Sequence, residues 1–290
     1  MTRIKANMIT TAPQQHMTLG SIRVTYLPDG SALFNPTFLY PATTLADWQP
    51  YRHLLNQDGQ ILASVGAYSI QTSDHTILVD AGYGPSQIAI EGNALLQGGE
   101  LLVSLQNAGL TPADIGLVFF THLHPDHVRG ISRQVDGEQG LLFPNARFLV
   151  RRPEWLRFAN PDESRFGVED ALKLLEPRIE LIDEGNELLV PEITVLATPG
   201  HETGHASLLI SVGEQRAILL GDIFHNNVQV EHPDWASCYD HDPDLAKRTR
   251  QYILEELAKP ATIGIASHFA NAVFGRVTFV QGKYQWQVLQ

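Results

Sequence analysis

Five short apolar runs in this chain stop on a histidine or an aspartate. TILV runs into Asp80 and LVFF into Thr121 and His122. ITVLA runs into Thr198-Pro199-Gly200-His201, AILLG into Asp222, and TIGIAS into His268. Short runs rich in β-branched and aliphatic residues read as buried strands. Strand ends on one side of a sheet converge in space, and loops there carry chemistry on a rigid scaffold. The repetition calls for an α/β domain in which reactive residues from distant parts of the chain meet at one sheet edge.

The segments between these runs fit that plan. SIRVTYLPDG reads as a strand closing in a Pro-Asp-Gly turn. Residues 31–58, rich in Pro, Thr and aromatics, read as an ordered loop that serves as a lid or a dimer contact. ILASVGAYSIQT and HTILVD read as a hairpin. ELLVSLQNAGL reads as an amphipathic helix with Leu101, Leu102, Leu105 and Ala108 on one face, ended by Gly109. Further strands are expected at ARFLV and ASLLISV, and a helix at PEWLRFA. The polar residues 160–167 read as an exposed loop. DPDLAKRTRQYILEELAKP reads as a helix with Asp242 as N-cap, Pro243 in its first turn and Pro260 as its stop. After TIGIAS a polar-aromatic tail is expected. No linker interrupts the chain, so residues 1–290 read as one domain.

The densest chemistry lies in HLHPDH, where His122, His124, Asp126 and His127 share one short segment. Neutral imidazole and carboxylate are ligands for zinc and its neighbours. His122 and His124, two apart in an extended segment, project to the same side. Pro125 stiffens the turn, and Asp126 and His127 then point elsewhere. One loop of this kind serves two metals. A lone histidine at a strand end is usually a hydrogen-bonded structural residue; the cluster, joined by Gly-His, Gly-Asp and Ser-His at other strand ends, is not explained that way.

Composition narrows the partners. Twenty basic residues against 32 acidic give a net charge of −12, which argues against a nucleic-acid surface. The single cysteine, Cys238, permits no internal disulfide. The first twenty residues hold no apolar core of signal-peptide length and no run is long enough to span a bilayer. The expectation is a cytoplasmic protein without a membrane segment, acting on a small molecule.

HLHPDH, TPGHETGH, LLGDIFH and ASHF, with Asp80 upstream, resemble in order the five motifs of the metallo-β-lactamase superfamily. The resemblance implies an αβ/βα sandwich, two mixed sheets face to face with helices outside. It implies His122, His124 and His201 around one metal, Asp126, His127 and His268 around a second, and Asp222 bridging both. Two divalent ions are implied, zinc above all, with manganese, iron or cobalt as alternatives. Asp80 orients a ligand or a loop, and His205 is structural. The implied activity is hydrolysis of an ester, lactone or phosphotriester bond of a small molecule by a bridging hydroxide, with Asp222 and Asp126 at the centre.

Within the superfamily, GDIFHNNVQVEHPDW and YDHDPDLAKRTR resemble the group containing methyl parathion hydrolase and the N-acyl-homoserine-lactone lactonases. Relatives in that group are often homodimers. Small-ring lactonases of the family carry a tyrosine three residues after the bridging aspartate; here that residue is His225, which leans toward the methyl-parathion-hydrolase-like branch. Two roles are open to His225: protonating or binding a substrate oxygen, or packing beneath the site. Phe224, Trp235, Phe269 and Phe274 are candidate pocket walls, with core packing as their alternative. Two other readings stand beside the hydrolase: a metal-containing protein that binds a signalling molecule without turnover, and a thioesterase or β-lactamase-type amidohydrolase.

Overall fold

The computed structural model describes residues 10–135, 138–160, 167–183 and 188–289. Its first strands are β1 (Gln15–Leu19), β2 (Ile22–Phe34), β3 (Ile61–Gln71), β4 (Thr76–Val79), β5 (Gln87–Ile90), β6 (Ala94–Gln97) and β7 (Leu117–Phe119). They are followed by β8 (Ser132–Val135), β9 (Glu138–Leu141), β10 (Arg147–Arg151) and β11 (Ile179–Ile182). The second half holds β12 (Leu188–Val190), β13 (Ile193–Ala197), β14 (Ala206–Val212), β15 (Gln215–Leu219), β16 (Thr262–Ile265), β17 (Phe274–Val280) and β18 (Lys283–Val288). The helices are α1 (Pro36–Leu39), α2 (Leu101–Asn107), α3 (Pro125–Val128), α4 (Arg152–Ala159), α5 (Glu169–Leu175), α6 (Val228–Glu231) and α7 (Pro243–Leu257).

One sheet runs β11-β10-β7-β4-β3-β2-β6-β5, with β1 paired to β2; the other runs in order from β12 to β18. They pack face to face because each strand alternates its apolar residues between two cores, as the period of two demands. Ile77 and Val79 of β4 point between the sheets, whereas Leu78 points outward to the helices. On the facing sheet, Ala217 and Leu219 of β15 enter the inter-sheet core while Ile218 points outward. The outer face of the first sheet is covered by Leu101 and Leu105 of α2, Phe158 of α4 and Leu172 of α5. Ile253, Leu254 and Leu257 of α7 cover the other. The result is the expected αβ/βα sandwich. Full burial of each such side chain contributes roughly 1.5–3 kcal/mol.

β4 and β7 are parallel neighbours in the first sheet, as are β15 and β16 in the second. The four strands therefore deliver Asp80, His122, Asp222 and His268 from their carboxyl ends. The β3–β4 hairpin and the α7 cap form as expected, the Asp242 carboxylate accepting from the Leu245 N–H at 2.9 Å.

Several expectations fail locally. Pro28-Asp29-Gly30 makes no turn: β2 runs through it, shifting register against β3 between Pro28 and Gly30. Residues 31–58, expected as an ordered loop, are ordered but not loop throughout. They finish β2, form α1 and bury Tyr40 and Trp48 against Trp235. Leu102 is about half exposed, so the buried face of α2 is narrower, carried by Leu101, Ser104 and Leu105. The expected tail is the β17–β18 hairpin. Of the loop expected at 160–167, residues 161–166 lie outside the described residues.

Candidate metal centre

The segment after β7 sets the site's geometry. His124 is extended (φ −67°, ψ 157°) and caps α3, whose first residue is Pro125. The rings of His122 and His124 come within 4.6 Å, while Asp126 and His127 lie on the short helix. The seven expected ligands sort into two sets, His122, His124, His201 and Asp222 in one, and Asp126, His127 and His268 in the other, with a third group of His201, His225 and Asp240 adjoining them. Within each set the donor atoms lie within 4.8 Å of one another. Asp222 faces both: Oδ2 is 3.8 Å from His122 Nε2 and 3.6 Å from His201 Nε2, and Oδ1 is 3.1 Å from His127 Nε2 and 3.0 Å from His268 Nε2. All seven residues that the motifs singled out as ligands meet in one place.

Gly221 makes this placement of Asp222 possible. Its φ is +56°, and an added Cβ would sit 2.6 Å from His205 Nε2, so both backbone conformation and space require glycine. The Asp222 N–H in turn donates to His205 Nε2 at 2.9 Å, and His205 Nδ1 meets the Thr198 carbonyl at 3.0 Å. Both His205 nitrogens are thus engaged by the protein, as a structural role requires. Burial pushes its pKa down to about 4.

The imidazoles are oriented from behind. His127 Nδ1 lies 2.7 Å from Asp80 Oδ2, His201 Nδ1 lies 3.3 Å from Asp240 Oδ1, and His124 Nε2 lies 2.8 Å from Glu202 Oε1. His268 Nδ1 faces the Ser64 carbonyl at 2.8 Å. Such contacts place the ring N–H at the rear and the lone pair at the front. Asp80 also accepts from the Thr121 N–H at 2.8 Å, so it holds loop and ring together from a left-handed backbone (φ 60°). Asp240 is itself anchored by Arg250 Nη1 at 3.1 Å.

These residues fit divalent cations. His201 Nε2 and His124 Nδ1 face each other at 3.0 Å although each ring already meets a carboxylate through its other nitrogen. Two lone pairs so opposed call for positive charge nearby. His122 Nε2 is buried without a hydrogen-bond partner. Burial and neighbouring imidazoles hold His122 well below the ordinary histidine pKa, and burial does the same for His201, leaving both neutral and ligand-competent. Burial works against a charged His268, yet Asp222 and Asp126 raise it to about 9. The carboxylates that draw a proton there draw a cation equally.

A cavity of about 180 Å³ opens on the cluster. Its polar floor is His124, Asp126, His201, Asp222, His225 and His268, and its walls include Phe34, Tyr83, Ile88, Ile90, Leu96 and Tyr239. None of the four expected wall residues lines it. Phe224 and Phe269 are in the core under α7, Phe274 is in the inter-sheet core, and Trp235 packs on Trp48. Their positions beside ligand residues in sequence put them behind the ligands in space. Glu202, Asp240 and the walls from β5 and β6 were missed. Glu202 follows His201 directly, the one signal that pointed to it.

His225 reaches the site. Its Nε2 is 3.5 Å from Asp222 Oδ2, and its ring lies 4.8 Å from that of His201. Its backbone N–H donates to Gln229 Oε1 at 2.7 Å, and both ring nitrogens lack hydrogen-bond partners.

Comparison with known proteins agrees with this geometry. The family model described as Metallo-beta-lactamase superfamily matches residues 64–136. The N-acyl homoserine lactonase AiiA of Bacillus thuringiensis subsp. kurstaki is 28% identical over 218 residues, 70% of this chain and 80% of that protein. The crystal structure of the hydrolase AbOPH in the beta lactamase superfamily is 26% identical with a TM-score of 0.82, covering 97% of this chain and 98% of that one. The fold is also that of AidC, a dizinc quorum-quenching lactonase, at TM-score 0.82 and 24% identity over 97% of this chain and 99% of that one. The chain is thus similar to metal-dependent hydrolases of the metallo-β-lactamase superfamily, in sequence over residues 64–136 and in fold over nearly its whole length.

Proposed function

We propose that the chain is a two-metal hydrolase that opens the ring ester of a small, uncharged lactone bearing an apolar substituent. The observation that carries this reading is the cavity: five of the seven clustered candidate ligands at its floor, apolar and aromatic walls, and no lysine or arginine among its described lining residues. Such a cavity offers no counter-charge to an anionic substrate and repays burial of an apolar one. Relatives named N-acyl homoserine lactonase, similar over 70% of the chain, support the same bond type.

His122, His124 and His201 would hold one ion, Asp126, His127 and His268 the other, with Asp222 shared and zinc the best match to the donors. Divalent ions there supply a Lewis acid and lower the pKa of water. The protein's own residues do the rest. Asp80, Glu202 and Asp240 fix the ring orientations, and although burial opposes its charge, His268 and His127 hold the Asp222 carboxylate ionised between the two sets. The walls displace water from around the ester, and His225 faces the position of a departing oxygen.

The test is a panel of γ-lactones, p-nitrophenyl esters, phosphotriesters and β-lactams, assayed with and without chelator, alongside metal content. Lactone turnover abolished by chelator, with close to two equivalents of metal per chain, is the expected result. Full activity in a metal-free protein would sink the two-metal reading, and turnover confined to phosphotriesters or β-lactams would sink the lactone.

A further inference from the structure

Helix α4 lies outside the first sheet, yet it sends two charged side chains beneath the histidine loops. Glu154, in its first turn, is fully buried. Its Oε1 accepts from the Leu123 N–H at 2.9 Å, between His122 and His124. Its Oε2 accepts from the Gly204 N–H at 3.1 Å, in the loop that carries His201. One carboxylate thus ties two loops from opposite sheets, each supplying ligands to the same set. The fit is close: a Cβ on Gly204 would overlap the Glu154 backbone nitrogen. One turn further along α4, Arg157 Nη1 lies 2.6 Å from Glu202 Oε2, behind the carboxylate that orients His124. Burial and the neighbouring Glu202 push the Glu154 pKa up, while the two amide bonds and Arg157 draw the group toward its charged form. A buried acid beside another acid, satisfied by two loop amides, is a poor choice for packing alone.

We propose that Glu154 is a positioning residue that couples the two histidine loops and thereby sets the affinity of the His122, His124, His201 and Asp222 set for a divalent cation. This rests on the two-metal reading above. Glu154 bonds the backbone that aims the ligand side chains and acts through it. The His124–His201 nitrogen separation of 3.0 Å is the quantity it controls.

The test needs no substrate. Metal-free wild type, Glu154→Gln and Glu154→Leu are titrated with zinc against a chromophoric chelator, and amide exchange at Leu123 and Gly204 is followed by NMR in the metal-free state. A carboxamide keeps the shape of Glu154 but offers one acceptor for two donors. We expect one zinc equivalent to weaken roughly 10- to 100-fold in Glu154→Gln, the range typical for loss of an outer-sphere partner. The other equivalent should be unchanged, and protection should fall selectively at one of the two amides. Glu154→Leu should lose protection at both; if it does not fold, Glu154→Gln decides. Unchanged affinity and protection in Glu154→Gln would overturn the proposal, as would equal weakening of both equivalents. A wild type that takes up no zinc overturns the two-metal reading instead. The exchange of the two amides then still decides whether Glu154 couples the loops.

Discussion

His225, on the cavity floor beside Asp222, is where a single substitution tests the proposed reaction most directly. It is buried, and burial keeps its pKa below the ordinary histidine value, so the ring is neutral near pH 7. A neutral ring at a departing oxygen acts by passing on a proton drawn from the attacking water. His225→Ala should therefore lower turnover of lactones by roughly 100- to 10,000-fold, with a much smaller loss for p-nitrophenyl esters, whose leaving group departs without a proton. Equal losses on both would make it a binding residue; unaltered kinetics at an unchanged melting temperature would remove it from the reaction. The sequence places His225 three residues after Asp222, but spacing alone cannot tell a ring beneath the metals from one beside the substrate. Gln229 fixes the His225 backbone, and the two kinetic outcomes above separate the roles. The convergence of the seven candidate ligands was legible because their residue types and strand-end positions are tied to coordination chemistry. The cavity walls were not, because an aromatic residue reads alike whether it faces a core or a pocket.

Among the elements, the β5–β6 hairpin supplies three apolar residues of the cavity wall, Ile88, Ile90 and Leu96. Ile88 and Ile90 are each about 40% exposed and line the cavity, so polar replacements there cost little stability. Ile88→Ser with Ile90→Ser should raise KM for lactones with long apolar substituents and leave short ones unaffected, with the melting temperature within a few degrees of wild type. Equal effects on long and short substituents would place the substituent elsewhere. The hairpin's base depends on Asp29. This buried carboxylate accepts from the N–H groups of Tyr83 (2.7 Å), Gly84, Gly99 and Leu101 (each 3.0 Å). Asp29→Ala leaves four donors orphaned at about 1–3 kcal/mol each. Urea unfolding should show a loss of at least about 3 kcal/mol, less for Asp29→Asn; a loss below about 1 kcal/mol would mean that other groups anchor the hairpin. Pro-Asp-Gly is ordinary turn chemistry, and local propensity reads it so. Tertiary demand for an acceptor overrides it, and the bulge at Pro28–Gly30 absorbs the cost. The β17–β18 hairpin escaped notice for a related reason: its outer strand, KYQWQV, contributes mainly Trp286, packed against Gly264 and Gly275.

At the scale of the whole molecule, the ligands divide between the sheets. His122, His124, Asp126 and His127 follow a strand of the first; His201, Asp222 and His268 follow strands of the second. Ions held by both would join the halves, so chelation should lower the melting temperature in proportion to the logarithm of free metal. A chelated protein melting with the loaded one would mean that the ions span nothing.

The division also orders events in time. Neither set is complete until the two sheets have docked, so a fully coordinated ion belongs to the finished fold and not to the barrier before it. Interactions absent from the transition state slow unfolding and leave refolding untouched. Stopped-flow traces in chelator should therefore show wild-type refolding rates and faster unfolding. Excess zinc present during refolding should slow it, by capturing the His122–His127 segment before its counterparts arrive.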